Sequence, residues 1–159
     1  MKPLKYLLLF FAVGALTNFV DAADGIHVRS GGFRFDMVPV DPNATSSGPI
    51  AAADCVVRVQ KKQALLHWAT SPFVHVSNPE LTSDAFLAAT VTSQNGKIAV
   101  SPRRVIDRTN LSGGDDTAAI AMGVQGNGKA EIKLEVGIDE QGAAAGLHQT
   151  TVILTVTSQ

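Results

Sequence analysis

The chain has 159 residues, 13 Lys and Arg against 14 Asp and Glu for a net charge of −1, and one cysteine. That charge balance, with no basic face, excludes nucleic acid as a partner, and a single cysteine excludes a secreted fold stapled by internal disulfides. The sequence also carries no polybasic or amphipathic stretch suited to a membrane surface.

The N-terminus reads as a cleavable leader. Lys2 and Lys5 precede an apolar run over residues 6–20, too short and too weakly flanked for a membrane span, and Val20-Asp21-Ala22 places small residues where a signal peptidase cuts. Residues 1–22 are therefore expected to be a signal peptide, with cleavage after Ala22 or Ala23. The mature chain has no membrane span and is secreted. It loses Lys2, Lys5 and Asp21, so its net charge moves to −2, and at roughly 137 residues it is long enough to bury one real core.

Beyond the leader, Ile26 and Val28 alternate with His27 and Arg29, and Gly31 and Gly32 interrupt the pattern. Residues 34–38 alternate and are expected as a strand that ends at Pro39. Residues 40–54 are rich in turn formers and read as a flexible connector. Residues 55–60, 64–70 and 73–77 are short β-prone runs. Around Pro79 a short helical turn competes with strand. Residues 86–93 and 97–100 flank Asn95-Gly96, a pair that accepts positive φ at both turn positions, so a hairpin is expected there. A polar loop, residues 107–116, follows. Ile120, Met122 and Val124 then share a face, and Gly126-Asn127-Gly128 is expected to reverse the chain. Ile132, Leu134, Val136 and Ile138 next alternate with Glu131, Lys133 and Glu135, the cleanest period of two in the sequence. Val152, Leu154 and Val156 form one face of the last strand. Seven to nine short strands at this spacing predict one all-β domain, an antiparallel immunoglobulin-like β-sandwich.

No catalytic constellation is legible. His27, His67, His75 and His148 show no metal-ligand spacing with one another, Ser112–Asp116 lacks the alternating acids of a calcium loop, and no serine or Cys–His nucleophile pattern occurs. The expectation is no enzyme, no metal and no cofactor. Cys55 reads as a small buried hydrophobe. Asn43 and Asn110 sit in Asn-x-Ser/Thr acceptors that matter only in a eukaryotic cell. Trp68, if it faces outward, and the 107–116 loop would be the exposed candidates for recognising a ligand.

The two ends carry a family resemblance. A leader, a short alternating arm and a closing "AAAGLHQTTVILTVTSQ" together resemble a chaperone–usher pilus subunit, most of all its thin-fibre, capsule-forming branch. Leu147 or His148 stands where that family's closing motif has tyrosine. The resemblance implies a sandwich lacking its last strand, completed first by a periplasmic chaperone and then by the N-terminal arm of the next subunit. It assigns residues 23–36 as donor arm or first strand and residues 37–159 as the sandwich. Ile26, Val28, Phe33 and Phe35 become the donor side chains, Val152, Leu154 and Val156 the acceptor-groove strand, and Gln159 the carboxylate anchored by the chaperone. The implied partners are homologous subunits of the same fibre, the periplasmic chaperone, an outer-membrane usher, and a host protein or glycan as receptor. The alternative is a self-contained secreted binding module in which the arm is an ordinary first strand.

Overall fold

The computed structural model describes residues 5–10, 18–21, 25–30, 38–40, 49–139 and 143–158. The strands are β1 (Lys5–Phe10), β2 (Asn18–Asp21), β3 (Ile26–Ser30), β4 (Val38–Val40), β5 (Pro49–Thr70), β6 (Phe73–His75), β7 (Asn78–Ser83), β8 (Ala85–Ser101), β9 (Arg104–Arg108), β10 (Ala118–Ile138), β11 (Gly146–Gln149) and β12 (Val152–Ser158). Every pairing among them is antiparallel. The chain is all-β, as the period-two patterning predicts.

The larger sheet runs β1-β12-β5-β10-β8-β9, with β3 also on β5 and β2 on β3. The smaller runs β4-β11-β6-β7. Three strands of 17 to 22 residues dominate the larger sheet. Strands of that length would extend far beyond one core if straight. Instead their apolar residues enter a single cluster: Cys55, Val57, Ile132 and Leu134 from one half, Leu66, Trp68, Ile120 and Met122 from the other. The sheet therefore folds over itself as two layers of a sandwich. At the far end the layers meet where the Ala119 amide donates to Asp107 Oδ2 (2.8 Å).

The crease crosses residues 60–63, 92–98 and 125–128, where the burial of β5 and β8 gives way to exposure. β10 keeps its even-numbered residues inward from Ala118 to Ile138. Its neighbours cannot. β5 buries odd residues up to Val59 and even ones from Ala64, and its register against β10 slips by one residue at Lys61. β8 makes the same switch at Thr92, buried at Leu87, Ala89 and Val91 before it and at Val100 after it. One extra residue turns every following side chain to the other face, so each bulge re-aims half a strand at the common core. Lys61 takes φ +54 to do so, a left-handed conformation that costs a non-glycine residue about 1–2 kcal/mol.

Several expected breaks are continuous strand. Asn95-Gly96 lies inside β8, and Gly126-Asn127-Gly128 inside β10, with Gly128 opposite Gly96. Gly96 and Gly126 do hold positive φ (+87 and +113). They use it at the crease, where a Cβ on Gly126 would overlap the carbonyl oxygen of Lys97, rather than to reverse the chain. Residues 49–54, expected as connector, open β5, and the runs at 55–60 and 64–70 are two halves of it. The stretch around Pro79 is β7, not a helical turn. Val38–Val40 forms β4, so the chain stays extended through Pro39; residues 34–37 lie outside the described residues.

Candidate strand-pairing edge

β5 offers β10 one edge and divides the other between two strands. Its second half pairs with β12, from Val152 opposite Thr70 to Ser158 opposite Ala64. Its first half pairs with β3, from Ile26 opposite Val59 to Ser30 opposite Cys55. Each covering strand is itself covered on its outer side: β12 by β1, from Lys5 opposite Thr157 to Phe10 opposite Val152, and β3 by β2. Both outermost strands come from residues 1–22.

Val152, Leu154 and Val156, the expected groove strand, lie in β12 at 3%, 0% and 0% exposure and share the core with Trp68 and Leu66. Thr155, Thr157 and Ile153 take the half-buried outer face. The strand starts at a hydroxyl cluster: Thr70 Oγ1 donates to the Thr151 carbonyl (3.1 Å), and Thr150 Oγ1 donates to the Ser71 carbonyl (2.6 Å).

Ile26 and Val28, the expected donor side chains, are 0% and 2% exposed inside this chain's own sheet. β3 is thus an integrated strand rather than a free arm in this chain, held further by the Gln60 amide donating to the Gly25 carbonyl (2.8 Å). Phe33, Phe35 and Gln159 lie outside the described residues, as does Asn43. Trp68 is fully buried, so it is no surface ligand contact. Its neighbours on β10 and β12 are Ile120 and Leu154, and the apolar demand of a folded-over sheet claims the ring.

Cys55 is buried and free, and burial pushes its thiol up to about 12, which leaves it without a reactive thiolate at neutral pH. His75 and His148 stack edge to face, ring centroids 5.0 Å apart, in the smaller sheet. His75 Nδ1 accepts from the Asn78 amide (3.1 Å) and its Nε2 faces the Ala145 carbonyl (3.2 Å). His148 Nδ1 faces the Gly146 carbonyl (3.2 Å), while its Nε2 is buried without a partner. Burial, then the nearby His75, hold His148 below its ordinary value of 6.5. Among the described residues no three His, Cys, Asp or Glu side chains stand together as a metal-binding group, and no helix is long and apolar enough to cross a membrane. In the 107–116 loop, Asn110 Oδ1 accepts from the Gly113 amide (3.0 Å) and the Ser112 hydroxyl (2.9 Å), closing a 3-10 turn.

One feature escaped the sequence pattern. An open depression of about 630 Å³ lies at the crease, lined by Lys61, Lys62, Gln63, Lys97, Gln125 and Gly126 among others. Its only trace in the sequence is the "QKKQ" of residues 60–63 between two apolar runs.

No protein-family model matches the chain, and no curated protein matches it. Among solved structures it is similar to the mannan-recognising carbohydrate-binding module TmCBM27, at 11% identity and a TM-score of 0.34, over 96% of this chain and 88% of that one. It is also similar to the enzymatically active domain of bacteriophage CBA120 tailspike protein 4, at 13% identity and a TM-score of 0.29, over 96% of this chain but 19% of that one. Likeness this distant assigns neither fold family nor ligand.

Proposed function

We propose that the protein is a structural subunit of an extracellular surface fibre, an immunoglobulin-like sandwich joined to further copies by strand donation along β12. A periplasmic chaperone and an outer-membrane usher would handle the subunit in transit. The observation that carries this is the occupant of β12's outer edge. Among the described residues only β1 pairs there, and β1 belongs to the segment read as a leader. Its removal would leave a seven-residue strand with unpaired N–H and C=O groups outside and Val152, Leu154 and Val156 packed inside. Such an edge is a template for an extended segment of another chain. Head-to-tail pairing that does not close into a ring then gives a fibre.

A second reading, the self-contained binding module, draws on β3. Ile26 and Val28 already sit in this chain's own core, as a first strand would. Donation then requires β3, or the residues after it, to leave one copy for the next. The test uses the protein as exported. Mass spectrometry fixes its N-terminus, expected at Ala23 or Asp24, and an unheated denaturing gel reports its assembly state. A ladder that collapses to one band on boiling supports the fibre. A monomer at every concentration, unchanged by a synthetic peptide spanning residues 24–35, supports the module and sinks the fibre.

A further inference from the structure

We propose that the crease of the folded sheet is a binding site for an acidic glycan, a polysaccharide bearing carboxylate or sulfate groups, whatever the assembly state of the protein. Lys61, Lys62 and Lys97 converge on the depression of about 630 Å³, which lies within the roughly 300–1,000 Å³ range of small-ligand sites. All three side chains are exposed, and no carboxylate stands among the described lining residues. Glu131, the nearest acid along β10 from the crease, is engaged by Lys129 Nζ at 2.5 Å. A chain of net charge −1 thus gathers three ammonium groups around one hollow.

The backbone builds this arrangement. Successive residues of a regular strand point to opposite faces, but the bulge at Lys61 leaves Lys61, Lys62 and Gln63 all exposed in a row. Lys97 comes from β8, opposite Asn127 of β10. Gly126, which lies beside the Lys97 carbonyl with no room for a side chain, lets the two strands draw together under the hollow. Gln63 Nε2 donates to Gln125 Oε1 at 3.3 Å, and the two amides keep spare donors and acceptors for sugar hydroxyls.

The class of ligand follows from what lines the hollow. Compact, strongly hydrated lysine ammoniums suit multiple anionic groups on a flexible polymer. No aromatic side chain stands among the described lining residues, so none of these offers a surface for stacking a base or a neutral sugar ring. The hollow is open, which admits a chain passing through rather than a small molecule enclosed.

The test measures calorimetric binding of the exported protein to four probes: a galacturonate oligomer, a heparin oligomer, neutral dextran and an oligothymidylate of matched charge. At least one acidic glycan should bind, and its affinity should fall about tenfold or more as salt rises from roughly 50 to 300 mM, as screening of exposed charges requires. Binding of the galacturonate oligomer would show that carboxylate suffices, and binding of heparin alone, which carries both groups, would show that sulfate is needed. The combined Lys61→Asn, Lys62→Gln, Lys97→Gln variant should lose about tenfold in affinity, Asn being chosen because it tolerates the left-handed conformation of residue 61. Lys133→Gln, on β10 but paired with Glu135 and not among the residues that line the hollow, should stay within about twofold of wild type. No binding of either acidic glycan, equal binding of dextran or of the oligothymidylate, or equal loss in the triple variant and in Lys133→Gln would each overturn the site. A protein that proves monomeric yet binds the acidic probe leaves this site standing while the fibre fails, so the two outcomes separate.

Discussion

The two halves of β5 make the same kind of core by opposite means. Cys55, Val57 and Val59 point inward on odd numbers where β5 pairs with β3, and Ala64, Leu66 and Trp68 point inward on even numbers where it pairs with β12. Between them stand Lys61 and Lys62, exposed, at the one place where the strand belongs to neither layer. β5 thus serves two layers through an extra residue that resets its phase, whereas β10 serves both on a single phase. The residue that does so is freed from core packing and becomes available to the surface.

The comparison is sharpest if the reset is removed. Deleting Lys61 would set Cys55 to Val59 and Ala64 to Trp68 on one alternation and one unbroken register against β10, so both halves should keep their apolar side chains inward. Cooperative unfolding should survive, and a variant that no longer melts sharply would show that the bulge itself is needed to close the crease. Largest in size, Trp68→Ala in the second half should cost about 3–5 kcal/mol in denaturant-derived stability, because the ring is fully buried and leaves a large cavity. Gly126→Val should cost roughly 2–4 kcal/mol, since it adds a β-branched side chain at φ +113 against the Lys97 carbonyl. A loss under about 0.5 kcal/mol would mean that the crease is not tightly closed.

Acid should act through the smaller sheet, away from both halves of β5. His148 is held below 6.5 in the folded protein, so the unfolded chain binds a proton there more readily than the folded one. Its contribution to stability is complete above about pH 6.5 and declines as the pH falls from there toward the lower folded-state value. Urea midpoints should therefore drop on acidification through this window, and His148→Gln should flatten that slope. Glu131, lowered by its hydrogen bond from Lys129, adds a further loss of stability as the pH falls below 4.5. The smallest effect is expected at the outer face, where Lys133→Ala should change stability by less than about 0.5 kcal/mol although Lys133 Nζ lies 2.6 Å from Glu135.

Side-chain alternation was legible in the sequence, and chain reversal was not. Ile132, Leu134, Val136 and Ile138 are all buried, as their period of two requires, and so are Val152, Leu154, Val156 and Cys55. By contrast, Asn95-Gly96 and Gly126-Asn127-Gly128 advertise only a tolerance for positive φ. A crease in a long strand uses that tolerance as readily as a hairpin does, and local sequence cannot distinguish them. The polar "QKKQ" looked like a break between strands because exposure is what it signals, and at a bulge exposure occurs inside a strand. The burial of Trp68 was hidden for a related reason: which face of β5 is inward after residue 61 depends on a phase shift that alternation alone does not reveal. The crease site was illegible because Lys97 and the Lys61-Lys62 pair are brought together only by the folding of the sheet.

Hydrogen exchange across Val152–Ser158 in the exported protein tests strand donation most directly. Alternate amides of β12 point toward β5 and away from it, and only the outward set depends on what occupies the outer edge. Strand donation predicts that the outward amides exchange rapidly in dilute monomer and become protected, together with the inward set, once the protein assembles. Equal protection of both sets in a monomer shorn of residues 1–22, unchanged at any concentration, would contradict it.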